Sequence, residues 1–158
     1  MKALGLIIIF LCPITIGAYS SHKTKTALIQ LRGMIDFMNY IKSRIEYFNT
    51  PINDIYTAYE NNESSLSELV FNISVSGWTQ ALESTQKIYL PNDIIEKLDQ
   101  FGSYLGKSNK NEQLAHCDYY ISLLENEYQK LKEEAPQKTK ISLALGLSCG
   151  LMLVILLI

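Results

Sequence analysis

The residues able to do acid–base, nucleophilic or metal chemistry are few and scattered. There are two histidines, His22 and His116, and three cysteines, Cys12, Cys117 and Cys149. Neither histidine belongs to an H-E-x-x-H or another spacing that gathers ligands, and no C-x-x-C is present. Zinc binding and thiol–disulfide cycling are therefore not expected. A lone histidine on a helix is ordinarily a surface or half-buried structural residue. The carboxylate pairs Glu125/Glu127 and Glu133/Glu134 sit in a mixed-charge helical pattern, whose usual meaning is a solvated face and not a catalytic dyad. There is no P-loop, no G-x-G-x-x-G and no G-x-S-x-G. The expectation is a non-enzymatic protein that needs no cofactor and no metal.

Charge excludes another class. Between residues 20 and 140 there are 13 lysines and arginines against 16 aspartates and glutamates, without a basic stripe threaded by aromatics, so nucleic acid is not an expected partner. What the chain does have is tyrosine, ten in all. Tyr40, Tyr47, Tyr56, Tyr59, Tyr104, Tyr119, Tyr120 and Tyr128 fall in helical patterns where several must be partly exposed. Tyrosine gives contact area at low entropic cost, which suits protein interfaces; filling the edge of a core is the plainer use.

Two apolar segments frame these residues. Ile141–Ile158 is 18 residues without a charge. As a helix it would cover roughly 27 Å, about the hydrocarbon thickness of a bilayer. Ala3–Tyr19 is a second charge-free stretch, and Lys2 is the only charged side chain before it. It reads either as a cleaved signal peptide, with Ile16-Gly17-Ala18 loosely resembling a cleavage site, or as a retained membrane helix bent at Pro13; retention is expected. Lys23, Lys25 and Arg32 follow the first segment, and Lys130, Lys132, Lys138 and Lys140 precede the last. By the positive-inside rule the domain between them is cytoplasmic. With Cys12 and Cys149 in the apolar segments, no disulfide framework is implied.

The expected organisation is a transmembrane helix over 1–20, a cytoplasmic helical bundle over 21–140 and a second transmembrane helix over 141–158. The central fold is expected to be all-α, with about six helices between the two spans. Leu28, Leu31, Ile35, Met38, Ile41, Ile45 and Phe48 recur at helical spacing and predict a long helix over 24–48, with Gly33 a mild defect in it. Asn49-Thr50-Pro51 predicts a break, with Thr50 as cap and Pro51 opening a helix to about Glu60. Ser65-x-x-Glu68 fits a capping box for a helix over 66–76 with Leu66, Leu69, Val70 and Ile73 inward. Phe71–Ser76 also alternates like a strand, but no partner strand is evident. Gly77 stops that helix. Trp78, Ala81, Leu82 and Ile88 give a helix within 78–90, and Pro91 opens another that Gly106 ends. Asn109-x-x-Glu112 is a capping pattern, with Ser108 an equally good cap, for a last helix whose seam is Leu114, Cys117, Ile121, Leu124, Tyr128 and Leu131. That seam is expected to pack on the first long helix rather than form a coiled coil. Pro136 is expected to end it, leaving 137–140 as a linker.

The order of these features resembles the stage III sporulation protein AB family. The resemblance rests on IEYFNTPI (Ile45–Ile52), FGSYLGKSNKNEQ (Phe101–Gln113) and Lys140-Ile141 followed by LGLSCGLMLVILLI (Leu145–Ile158). Lys42 and Arg44 stand where the family typically has acidic residues, and Asn109 where aspartate is usual. The resemblance implies a component of the channel-like apparatus between mother cell and forespore, similar to the inner-membrane platform of type II secretion and type IV pilus systems. It implies a place in the mother-cell membrane facing the forespore, among other membrane components of the channel. The implied soluble partner is the secretion-type ATPase of the same gene cluster. On this resemblance the partner surface is expected to draw on Lys42, Arg44, Tyr47, Asn49, Thr50 and Pro51. Gly146 and Gly150 form a G-x-x-x-G that would let membrane helices of a homo-oligomer approach closely, unless their spacing is chance.

Overall fold

The computed structural model describes the backbone of residues 2–48, 51–59 and 64–157, with side chains chiefly between 22 and 137. Among the described residues there are six helices and no strand: α1 (Lys2–Phe48), α2 (Ile52–Thr57), α3 (Ser64–Ser76), α4 (Trp78–Ser84), α5 (Asn92–Tyr104) and α6 (Lys110–Leu157). The chain divides into two compact units, one made of Met1–Thr26 with Lys130–Ile158, the other of Ala27–Gln129.

Among the described residues the apolar segments are parts of these six helices and not two further ones beside them. The first apolar segment is the beginning of α1, and the last is the end of α6. Pro136 lies inside α6, and residues 137–140 are helical, so the expected linker is absent. A proline removes one N–H and crowds the carbonyl a turn earlier, costing about 3 kcal/mol. In a helix of 48 residues the other turns keep their bonds, and the helix continues. Among the described residues no helix is long and apolar enough to cross a membrane.

In the Ala27–Gln129 unit, α1 buries a broader face than its stripe suggested. Leu31, Ile35, Met38, Ile41 and Ile45 are buried as expected, and so are Ala27, Gln30, Met34 and Phe37. Phe48, assigned to the same stripe, is exposed. The centre of α6 contributes Cys117, Ile121 and Leu124 to the core. Lys42 Nζ on α1 is 2.6 Å from Asp118 Oδ1 on α6, and Lys110 Nζ donates to the Glu46 carbonyl at 2.6 Å, so the two helices lie together here. Gly33 is a close approach more than a defect: a methyl group there would stand 2.6 Å from Leu66 Cδ2 of α3.

The four short helices pack in chain order, α2 on α3, α3 on α4 and α4 on α5. Leu66, Leu69, Val70 and Ile73 are all buried, which settles helix over strand for residues 71–76. The helix α3 begins by Ser64, two residues earlier than the expected 66; the side chain of Ser65, assigned to the capping box, lies outside the described residues. Pro51 occupies the N-cap position of α2, at φ −55° and ψ 139°, instead of its first turn. The helix expected to run toward Leu90 stops at Ser84, because the Thr85 hydroxyl turns back to the Ala81 carbonyl at 2.7 Å and accepts from Asn72 Nδ2 at 2.9 Å. Buried Gln30 then holds the connection to α5: its amide donates to the Lys87 carbonyl (2.8 Å) and its oxygen accepts from Tyr89 N–H (2.9 Å). Of the two cap candidates it is Asn109 that caps α6, its side-chain oxygen accepting from the Glu112 N–H at 3.0 Å.

Aromatic rings join the layers. Phe37 lies 6.1 Å from both Tyr56 and Trp78, and Trp78 meets Phe101 edge-on at 5.3 Å. Trp78 Nε1 donates to the buried Tyr56 hydroxyl at 3.0 Å, so the indole enters the core with its N–H satisfied. The Trp78 side chain lies against Gly102 of α5, where any Cβ would overlap it.

Candidate functional site: the exposed end of the first helix

The last two turns of α1 in the Ala27–Gln129 unit combine a cation with exposed aromatics. Arg44 Cζ lies 4.9 Å from the centroids of both the Tyr40 and Phe48 rings. Positions four apart share a helix face, so Tyr40, Arg44 and Phe48 form one row, and Tyr47 stands beside it. Tyr47 and Phe48 are 72% and 64% exposed, unusual for large apolar side chains next to a formed core. The row continues to Tyr59, just after α2, since the Tyr40 ring is 5.1 Å from Tyr59, and Tyr59 is 4.7 Å from buried Phe37. The guanidinium is held by ring faces, and the surface presents aromatic area around a positive charge.

The expected partner residues divide. Arg44, Tyr47 and the exposed Pro51 lie at this end of the unit. Lys42, two positions from Arg44 and so roughly 200° around the helix, faces α6, where Asp118 holds it. The hydrogen bond to Asp118 raises the lysine above its ordinary pKa. Asn49 and Thr50 lie outside the described residues. Gly146 and Gly150 are helical in α6, but their surroundings also lie outside the description. Tyr40 and Phe48 were missed as members of the patch. Their spacing from Arg44, minus and plus four, was visible in the sequence, but Phe48 had been assigned to the buried stripe.

Of the reactive residues, His116 and Cys117 pack within the Ala27–Gln129 unit. His116 Nε2 is 3.0 Å from the Phe101 carbonyl near the end of α5, so that nitrogen carries the proton and donates. Its ring stacks on Phe101 at 5.4 Å and 7°, with Tyr104 and Tyr120 alongside. Buried Cys117 has its thiol pushed up to about 11 by burial, far from a reactive thiolate at neutral pH. Burial lifts the Tyr56 hydroxyl above the usual tyrosine range, against the pull of the Trp78 N–H. Among the described residues no three His, Cys, Asp or Glu side chains are grouped to hold a metal ion. A second exposed apolar ridge lies on α3, where Phe71 and Val75 stand one turn apart.

The described residues form two long helices with four short ones between them in the chain, and the fold is all-helical. The chain belongs to the stage III sporulation protein AB family, whose model matches residues 2–158. It is thus a sporulation protein, from a family of sporulation components and not of known enzymes. No curated protein and no solved structure is similar enough to the chain to support a further comparison.

Proposed function

We propose that the protein is a non-enzymatic, membrane-anchored component of the channel-like apparatus between mother cell and forespore. In this reading the Ala27–Gln129 unit sits on the cytoplasmic side of the mother-cell membrane and engages the secretion-type ATPase. The observation that carries it is the row of Tyr40, Arg44 and Phe48 with Tyr47 beside it. Aromatic and arginine side chains at a solvent-facing end of a rigid helix are the types that dominate interface energies. Membrane attachment is supported by the charge-free stretches at residues 3–19 and 141–158, both carried on helices. It is also supported by exposed Ile141, Leu145 and Met152 on the second of these.

The test is binding of the purified full-length chain to that ATPase, with Arg44→Ala and Tyr47→Ala made singly and together. Each residue is expected to cost about 1–2 kcal/mol of binding, roughly a tenfold loss in affinity. Unchanged affinity in the double variant would remove this surface from the interface. A second reading has α6 of neighbouring copies packing through Gly146 and Gly150 to brace the channel. Continuous helix over both glycines puts them on one face, as close approach requires. Self-association of the full-length chain that is lost in Gly146→Leu/Gly150→Leu would favour it.

A further inference from the structure

We infer that the groove between α4 and α5 is a second docking surface, and that it takes a basic segment of a partner protein. The groove holds about 230 Å³ and is lined by Thr79, Leu82, Glu83, Asn92, Ile95, Glu96 and Asp99. Its floor is apolar, made by buried Leu82 and half-buried Ile95, and its rim carries Glu83 from α4 with Glu96 and Asp99 from α5. None of the three carboxylates has an ion-pair partner among the described residues. Asp99 accepts from the Thr79 hydroxyl at 2.6 Å and Glu96 from Gln100 at 3.3 Å, both neutral donors. The one lysine on α5, Lys97, is turned to Asp93 (3.6 Å) and to Glu127 of α6 (3.0 Å), so it does not offset them.

The wider charge distribution agrees. Residues 51–105 carry eight acidic side chains and two lysines, whereas residues 20–48 carry five basic and two acidic ones. The stretch that carries the short helices is therefore net acidic on a chain whose formal charge is only −2. Net acidic surface draws cationic partners and speeds their encounter. The occupant that fits is a lysine or arginine side chain, its methylene stem on Leu82 and Ile95 and its charged head among Glu83, Glu96 and Asp99. This surface is on helices other than the one that carries the Arg44 row, and it stands whether or not that row binds the ATPase.

The probe is a fluorescent helical peptide of alanine and lysine, titrated by anisotropy against the purified full-length chain at low salt. A matched peptide of alanine and glutamate is the comparison. The variant E83Q/E96Q/D99N removes the rim, and E68Q/E112Q/E125Q removes the same charge from exposed positions elsewhere. All four of the groups at Glu83, Glu96, Glu68 and Glu112 are exposed, so folding is expected to survive, checked by circular dichroism. The lysine peptide is expected to bind, with the rim variant weakened roughly tenfold and the other less than about twofold. Binding should also fall as salt screens the charges. Equal loss in both variants would reduce the effect to general attraction and overturn the site. So would no loss in the rim variant, no binding of the lysine peptide, or equal binding of the glutamate peptide.

Discussion

Replacing Tyr56 by phenylalanine removes the acceptor 3.0 Å from Trp78 Nε1 and leaves a buried indole N–H unpaired. Y56F is expected to lower stability by about 1–3 kcal/mol in denaturant titration, although the ring itself is kept. A loss below about 0.3 kcal/mol would mean that the hydrogen bond is replaced, for instance by water. Cys117 gives a complementary prediction. Its thiol, raised to about 11 in the folded chain against an ordinary 9, stays protonated where the unfolded thiol ionises. Its contribution is therefore fully present below about pH 9 and is lost as pH rises toward 11. In a chain with Cys12 and Cys149 changed to serine, Cys117 is expected to resist alkylation at pH 8 until denaturant is added. Prompt labelling of the native protein would contradict this placement.

At the level of the helix, two glycines that look alike in sequence should behave differently. A methyl group at Gly102 meets the Cβ and ring of Trp78, which cannot withdraw without disturbing Phe37, Tyr56 and Phe101. Gly102→Ala is expected to cost about 1–3 kcal/mol as an overpacked core does. At Gly33 the obstacle is the tip of Leu66, which can turn aside, and alanine gains about 1 kcal/mol of helix propensity. Gly33→Ala should be close to neutral, and thermal melts of the two variants would separate them. Gln30→Ala should free the connection that α1 holds through Lys87 and Tyr89, seen as faster exchange of the Tyr89 amide.

Much of this level was legible in the residues. Apolar spacing located the inward side chains of α3, α4 and α5 and the seam of α6, because a helix face is a local property. Punctuation was legible where glycine or an Asx cap decides it: Gly77 and Gly106 have φ of 83° and 80°, and Asn109 caps α6. The early end of α4 was not, because it depends on Asn72 reaching Thr85 and on Gln30, 57 positions before Lys87, filling the gap. Nor was the breadth of the buried face of α1, which is set by packing partners on both flanks. Around the candidate site, the pairing of Lys42 with Asp118 was not legible, since that contact joins distant segments.

For the whole molecule, α1 and α6 each carry one of the apolar stretches and a part of the Ala27–Gln129 unit. In the proposed function the Ala27–Gln129 unit lies on the cytoplasmic side, the side that the lysines flanking the apolar stretches favour. The direct test is protease accessibility of that unit in intact and permeabilised protoplasts of sporulating cells. Cleavage is expected only after permeabilisation. Cleavage in intact protoplasts would put the unit on the outer side, exclude a cytoplasmic ATPase as its partner, and leave channel bracing as the better reading.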